Sequence, residues 1–267
     1  MEEHLMYYGL THNPFDKASE NIVETVDYKE LSFRLKYLTE TLGIGLVTGR
    51  PGVGKTVILR DFVNHLDANR YAISYLPLST VSVQDFYSQL AISIGIEPAF
   101  RKSAQFRQLQ ERITEMHDIE HLTPVFIIDE AQYLNGKIFN ELMLITNFGM
   151  DAQKKCVVIL SGLPEVAQRL QRPQFEAFRQ RITVSYQVVG LEPDEATQYI
   201  RTKFLAAGVE GIIINSDAEN TLVNKSNGSI RRLDLIMTEC FIIGAQSKKS
   251  VIDNEVVFTA VNELSLT

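Results

Sequence analysis

The stretch at residues 44–60, Ile-Gly-Leu-Val-Thr-Gly-Arg-Pro-Gly-Val-Gly-Lys-Thr-Val-Ile-Leu-Arg, constrains this chain more than any other. Gly49, four intervening residues and then Gly54-Lys55-Thr56 match G-x-x-x-x-G-K-[ST], the spacing of a phosphate-binding loop. The apolar run at 44–47 in front of it reads as a buried strand. Behind it, Val57, Ile58, Leu59, Phe62, Val63 and Leu66 recur at helical spacing, so the loop opens a helix. Glycines there let successive N–H groups face one anion, and the helix N-terminus adds partial positive charge. Gly49, Pro51, Gly52, Val53, Gly54 and Val57 are the expected cradle. Lys55 is placed to reach the β- and γ-phosphates, and Thr56 to hold Mg²⁺ through its hydroxyl. A glycine turn matching by chance would not also bring the strand, the Lys-Thr pair and the helix.

A second stretch supplies acids. Residues 124–130, Pro-Val-Phe-Ile-Ile-Asp-Glu, form a continuously apolar run ending in two carboxylates. Continuous apolarity fits a central parallel strand covered on both faces. Asp129 at its end can bind Mg²⁺ through water, and Glu130 can polarise a water for attack on the γ-phosphate. The guanine-reading pattern [NT]-K-x-D is missing, which favours ATP over GTP. Ser161 closes the apolar run at 156–160, on a strand expected between the other two. A hydroxyl there can hold the attacking water or sense the γ-phosphate, although serine is also a common turn residue. Arg172, Arg179 and Arg181 precede the fifth strand. Transition-state charge on a transferring phosphoryl group is often met by an arginine from a neighbouring subunit, and ordinary surface ion pairing competes for each of the three. Arg231, in Gly228-Ser229-Ile230-Arg231-Arg232, opens a later helix and can reach back to the phosphates.

Further strands are expected at 71–76 and 182–191, with helices between all five, which is an α/β pattern. From Glu192 strands give way to helices, the first begun by Pro193 with Asp194 and Glu195 in its opening turn. Residues 216–225, 231–246 and 254–264 continue the series. This gives a core at 1–191 with an N-terminal arm and a helical domain at 192–267. The arm at 7–15, aromatic at both ends around Asn13-Pro14, either lies over a nucleotide base or seals an edge of the core. Residues 22–28 read as a short strand.

Twenty-six basic and 33 acidic residues leave a net charge of −7. That argues against a chain coated in cationic charge but leaves room for a local basic groove. Cys156 and Cys240 form no C-x-x-C pattern and suit core packing in a reducing compartment. No signal pattern and no apolar run of about 18 residues is present, so a cytoplasmic protein with no membrane segment is expected.

Five blocks in order resemble the AAA+ ATPases of the ExeA and TniB/TnsC group: Gly-Arg-Pro-Gly-Val-Gly-Lys-Thr, Ile-Ile-Asp-Glu-Ala-Gln-Tyr-Leu, Ser-Gly-Leu-Pro-Glu-Val, Phe-Arg-Gln-Arg-Ile and Gly-Ser-Ile-Arg-Arg-Leu. The opening Tyr-Gly-Leu-Thr-His-Asn-Pro-Phe is similar to the start of ExeA-type proteins. The resemblance implies a five-stranded parallel sheet in the order 5-1-4-3-2, a helical lid, Mg²⁺-ATP as cofactor and ATP sites shared within a homo-oligomeric ring or helical filament. TnsC-like members regulate transposition: they assemble on duplex DNA with ATP and direct a transposase or related recombination protein. ExeA itself serves secretion and carries a membrane segment, so the chain's apolar pattern favours the transposition branch, with secretion or protein remodelling as the alternative. The resemblance places DNA contacts between the second and third strands, at Ser79, Thr80 and Val81 and at Arg101, Lys102 and Ser103, with Arg107 and Arg112 extending the strip. Such contacts would be sequence-tolerant and salt-sensitive.

Replacing Lys55 by alanine removes the charge that meets the outer phosphates. Lys55→Ala is expected to weaken ATP binding about 100-fold, as a charge-assisted hydrogen bond worth about 1.5–3 kcal/mol is lost, measured by titration with a fluorescent ATP analogue.

Overall fold

A computed structural model describes residues 3–16, 22–77, 82–209 and 211–265. Five strands, β1 (Gly43–Gly49), β2 (Tyr71–Pro77), β3 (Thr123–Asp129), β4 (Val157–Gly162) and β5 (Ile182–Val188), make one sheet in the order β2-β3-β4-β1-β5. Every neighbouring pair is parallel, and from the other edge this is the expected 5-1-4-3-2. The helices are α1 (Glu3–Tyr7), α2 (Val26–Thr41), α3 (Lys55–Asn64), α4 (Val83–Ser93), α5 (Lys102–Asp118), α6 (Gly136–Ile145), α7 (Pro164–Leu170), α8 (Glu176–Arg179), α9 (Pro193–Ala206), α10 (Ser216–Ser226), α11 (Ile230–Gln246) and α12 (Asn254–Ser265).

The chain divides into two compact units. The larger comprises Lys29–Arg50 and Lys55–Val188 and holds the sheet. Its central strands β1, β3 and β4 are buried nearly end to end, whereas the edge strands β2 and β5 alternate. That is the pattern of a parallel sheet covered on both faces. Successive side chains point to opposite faces. Ile44, Leu46, Phe126, Ile128, Val158 and Leu160 pack with Phe86 and Leu90 of α4, Leu109 and Ile113 of α5, and Ile138 and Leu142 of α6. Each such side chain contributes about 1.5–3 kcal/mol when fully buried. On the other face Leu38 of α2 fills the space above Gly45, where a Cβ would lie 2.5 Å from Leu38 Cδ2.

One local expectation changes here. Residues 22–28 form no strand: Thr25 Oγ1 accepts from the Tyr28 N–H, and α2 starts at Val26. Ahead of β5, a 3-10 turn, Pro173–Phe175, leads into the four-residue α8.

The smaller unit comprises Met1–Tyr28, Pro51–Gly54 and Val189–Thr267. Its core is built by α9 to α12 together with the N-terminal arm, so the arm belongs with the C-terminal helices and not with the sheet as the 1–191 boundary had it. The reason is apolar: Leu5, Tyr8, Leu10 and Phe15 are buried in one cluster with Tyr199, Phe204, Leu233 and Phe241. Phe15 meets Phe204 edge-on at 5.5 Å between ring centroids. Polar pins hold the register, with Tyr8 Oη donating to Lys249 O at 2.9 Å and Asn13 Nδ2 donating to Thr238 Oγ1 at 2.9 Å. The arm therefore seals a core edge. β5 stops at Val188, earlier than the expected 191, because Gly190 turns to φ +102° and comes so close to Gly228 that a Cβ would sit 2.2 Å from the Gly228 carbonyl oxygen.

Within this unit Tyr199 Oη donates to Asp234 Oδ1 at 2.8 Å, and Lys203 Nζ lies 5.5 Å from the centre of the Tyr199 ring. Burial pushes Asp234 up to about 7, against the pull of Tyr199 and Lys203, and burial lowers Lys203. An Asp raised in the folded state binds its proton more tightly there than in the unfolded chain. Its contribution is complete below about pH 3.8 and is lost as pH rises through about 7. Asp234→Asn is expected to flatten the fall in stability between pH 4 and 7, as read from urea unfolding midpoints across that range.

Candidate nucleotide site

β1 ends at Gly49 and α3 begins at Lys55, so residues 50–54 are a loop feeding a helix N-terminus. Gly52 and Gly54 hold φ at +78° and +104°, in the left-handed region that favours glycine. A Cβ on Gly52 would lie 2.6 Å from Ser229 Oγ and 2.8 Å from Arg231 Cβ. The Arg231 N–H donates to Gly52 O at 3.0 Å, so the start of α11 is bonded to the loop tip. Val53 is buried, Pro51 is exposed, and the side chains of Thr56 and Val57 are exposed on the first turn of α3. Lys55 Nζ donates to the carbonyl oxygens of Gly49 at 2.7 Å and Arg50 at 3.0 Å. Its ammonium is thereby held at the loop.

The acid pair follows β3. Asp129 is 7% exposed. Its Oδ1 accepts from the Glu130 N–H at 2.9 Å and its Oδ2 from Tyr75 Oη at 3.0 Å. Burial and that bond to Asp129 push Tyr75 up to about 12, so it stays a donor. Glu130 takes a left-handed backbone, φ 54° and ψ 38°, and is exposed. Its Oε2 accepts from Gln132 Nε2.

Ser161 sits on β4, between β1 and β3, paired in register with Val47. Ile128 pairs with Leu160, so Asp129 and Ser161 are the next positions on adjacent strands. The Ser161 side chain is fully buried and, among the described residues, its Oγ has no hydrogen-bond partner. A buried hydroxyl left unsatisfied costs about 1–3 kcal/mol. Such a group beside the loop strand and the acid strand suits a phosphate oxygen or the water that attacks it. The orphaned hydroxyl of the larger unit and, separately, the left-handed glycines of the loop are residues that fit a nucleoside triphosphate. Thr56 and Asp129 are the residues that would hold Mg²⁺, which supplies charge neutralisation on the phosphates when bound.

The three arginines before β5 are unequal. Arg179 Nη1 donates to the carbonyls of Leu170 at 3.2 Å and Gln171 at 3.1 Å, capping the end of α7. Arg181 is paired with Asp151 at 2.8 Å. Arg172 is exposed, and its side chain has no hydrogen bond or ion pair among the described residues; its backbone bonds to Arg169 and Phe175.

Of the positions expected to face DNA, Thr80 with Ser79 and Val81 lies outside the described residues. Arg101 and Ser103 are exposed at the start of α5, beside Phe100, which is 92% exposed. Lys102 is committed elsewhere: Nζ meets Glu141 Oε1 at 2.6 Å and lies over the Tyr87 ring. Arg112 is neutralised by Glu115 and Glu120, so it does not extend the strip, whereas Arg107 is exposed. Sequence reasoning missed Tyr75 and Gln132. The signal for Tyr75 was its place near the C-terminal end of the strand next to β3; Gln132 stood two residues after Glu130 in the quoted block.

A parallel sheet in this order, with a phosphate loop after β1 and an acid pair after β3, defines a P-loop nucleoside triphosphatase of the AAA+ kind. The chain is a member of the AAA+ ATPase superfamily, with Mg²⁺-ATP as cofactor: the family model described as "AAA domain" matches residues 38–170. Over 262 residues it is 27% identical to "General secretion pathway protein A" of Aeromonas hydrophila, covering 95% of this chain and 47% of that protein. Over 124 residues it is 32% identical to "ATP-dependent target DNA activator B" of Escherichia phage Mu, covering 46% of this chain and 37% of that protein. The chain thus spans about half or less of these relatives. The crystal structure of Cdc6p from Pyrobaculum aerophilum shares the fold, with a TM-score of 0.71 at 14% identity over 95% of this chain and 71% of that one. No helix among the described residues is long and apolar enough to cross a membrane.

Removing the orphaned hydroxyl separates function from stability. Ser161→Ala is expected to leave the fold as stable as the parent or up to about 1 kcal/mol more so, while ATP turnover drops about tenfold, checked by chemical unfolding and phosphate release.

Proposed function

We propose that this chain is an ATP-dependent, DNA-binding regulator of transposition that assembles with copies of itself on duplex DNA, engages a transposase or related recombination protein, and disassembles on ATP hydrolysis. The observation that carries this reading is the 32% identity to a phage protein named as an ATP-dependent target DNA activator, over a segment comparable in length to the matched AAA domain. The cradle at Gly49, Pro51, Gly52, Val53, Gly54 and Val57 takes the phosphates, Lys55 their charge, Thr56 and Asp129 the metal, and Glu130 the attacking water. Ser161 holds the γ-phosphate or that water. Arg231 links the loop tip to α11.

Of the three candidate trans arginines, Arg179 and Arg181 each have a partner within their own chain. Arg172 is the member of the group whose guanidinium can be offered to a neighbouring subunit without breaking such a bond. The start of α5 supports duplex contact. Arg101 stands at a helix N-terminus, where the dipole already attracts anions, and Arg107 lies six residues along with its charge exposed.

A secretion-associated ATPase is the second reading, favoured by the alignment over 95% of the chain to the Aeromonas secretion protein. Sedimentation with duplex DNA and a non-hydrolysed ATP analogue distinguishes the two. Co-sedimentation at low salt that weakens steeply as salt rises, and is lost in Arg101→Glu/Arg107→Glu, is the expected outcome. No DNA assembly at any salt, with turnover indifferent to DNA, sinks the first reading in favour of the second.

A further inference from the structure

The side chain of Gln132 is bonded at both ends to pieces of the site. Its Oε1 accepts from the Leu163 N–H at 3.1 Å, just past the end of β4, and its Nε2 donates to Glu130 Oε2. The amide has one workable orientation: flipped, it would set an oxygen against the carboxylate and an NH₂ against an N–H. Gly162 sets the space on one side of it. A Cβ on Gly162 would lie 2.8 Å from Gln132 Oε1 and 3.2 Å from the Ala131 nitrogen, so glycine at 162 is what admits the side chain. The 3-10 turn Ala131–Tyr133 that carries Gln132 is held from behind by Arg169, which donates to Gln132 O at 3.4 Å and Leu134 O at 2.7 Å.

Leu163 follows Ser161 by two residues, so one rigid amide connects the segment bearing the buried hydroxyl to the exposed carboxylate of Glu130. We propose that Gln132 is a positioning residue that ties Glu130 to the end of β4, so that the aim of the water-polarising carboxylate follows the strand that meets the γ-phosphate through Ser161. The proposal rests on the reading of Glu130 as the group that polarises the water. A displacement of the β4 end is transmitted through two hydrogen bonds and no intervening solvent. The Gln132 amide also selects one of the two carboxylate oxygens of Glu130 and leaves the other for the water.

Two substitutions separate this role from bracing of the loop. Gln132→Glu keeps an oxygen for the Leu163 N–H but sets a carboxylate against Glu130; Gln132→Met removes both bonds at nearly constant shape. Turnover of the full chain is measured against ATP concentration, with binding of a fluorescent ATP analogue as the check on folding. Both variants are expected to lose about tenfold in kcat with KM for ATP within about twofold, whereas bracing of the loop alone would spare Gln132→Glu, which keeps the bond from Leu163. Parental kcat in Gln132→Glu overturns the proposal, since acceptance from Leu163 would then be the whole role. If Gln132→Glu fails to fold, Gln132→Met with a kcat within twofold of the parent overturns it equally. Glu130→Gln is run alongside. Full turnover in Glu130→Gln removes the reading of Glu130 and the tether with it, whereas an inactive Glu130→Gln beside an unaffected Gln132→Glu removes the tether alone.

Discussion

The parallel pairing of β1 and β3 on either side of β4 is the constraint on which the site depends. Hydrogen bonds across that ladder fix Val47 opposite Ser161 and Ile128 opposite Leu160. A slip by one residue would turn every side chain of a strand to the other face. The core facing α4, α5 and α6 forbids it, because Leu46, Ile128 and Leu160 would leave their partners. The same apolar burial that stabilises the sheet thus sets the phosphate loop, the buried hydroxyl and the acid pair on three adjacent strand ends. Chemistry at this site is a by-product of a register that packing enforces.

Against that rigid frame, the side chains around the acid pair are held by single hydrogen bonds. Asp129 is oriented by Tyr75 and by the next backbone N–H; Glu130 is oriented by Gln132. Ser161 differs in having its hydroxyl buried without a hydrogen-bond partner among the described residues. Strained or unsatisfied groups persist where the surrounding structure over-determines them, and here the full β4 strand does so. Glu130 in the left-handed region is a second such cost, placed one residue beyond the buried run.

Much of this was legible in the sequence because it is local. The loop, the apolar strands, Pro193 at a helix start and the acid pair each announce themselves within a few residues. Strand order came from the resemblance, not from periodicity. What escaped is long-range. Asp151 taking Arg181, Glu141 taking Lys102 and Thr238 taking Asn13 pair residues about 30, 40 and more than 200 positions apart, and nothing in the local pattern marks them. The arm at 7–15 left two roles open for the same reason: its aromatic residues declare a need for burial without naming the surface that meets it. Tyr75 and Gln132 escaped because each is an unremarked polar residue until the neighbouring strand or turn gives it a partner.

The docking of that arm bears on how the protein is handled in the laboratory. The matched AAA domain begins at residue 38, which invites trimming everything before it. Leu5, Tyr8, Leu10 and Phe15 would go with the trimmed piece, and the cluster around Phe204 and Phe241 would open to water. A preparation cut there would keep every residue of the phosphate loop and the acid pair, and would still arrive sticky, with its helical half unpacked.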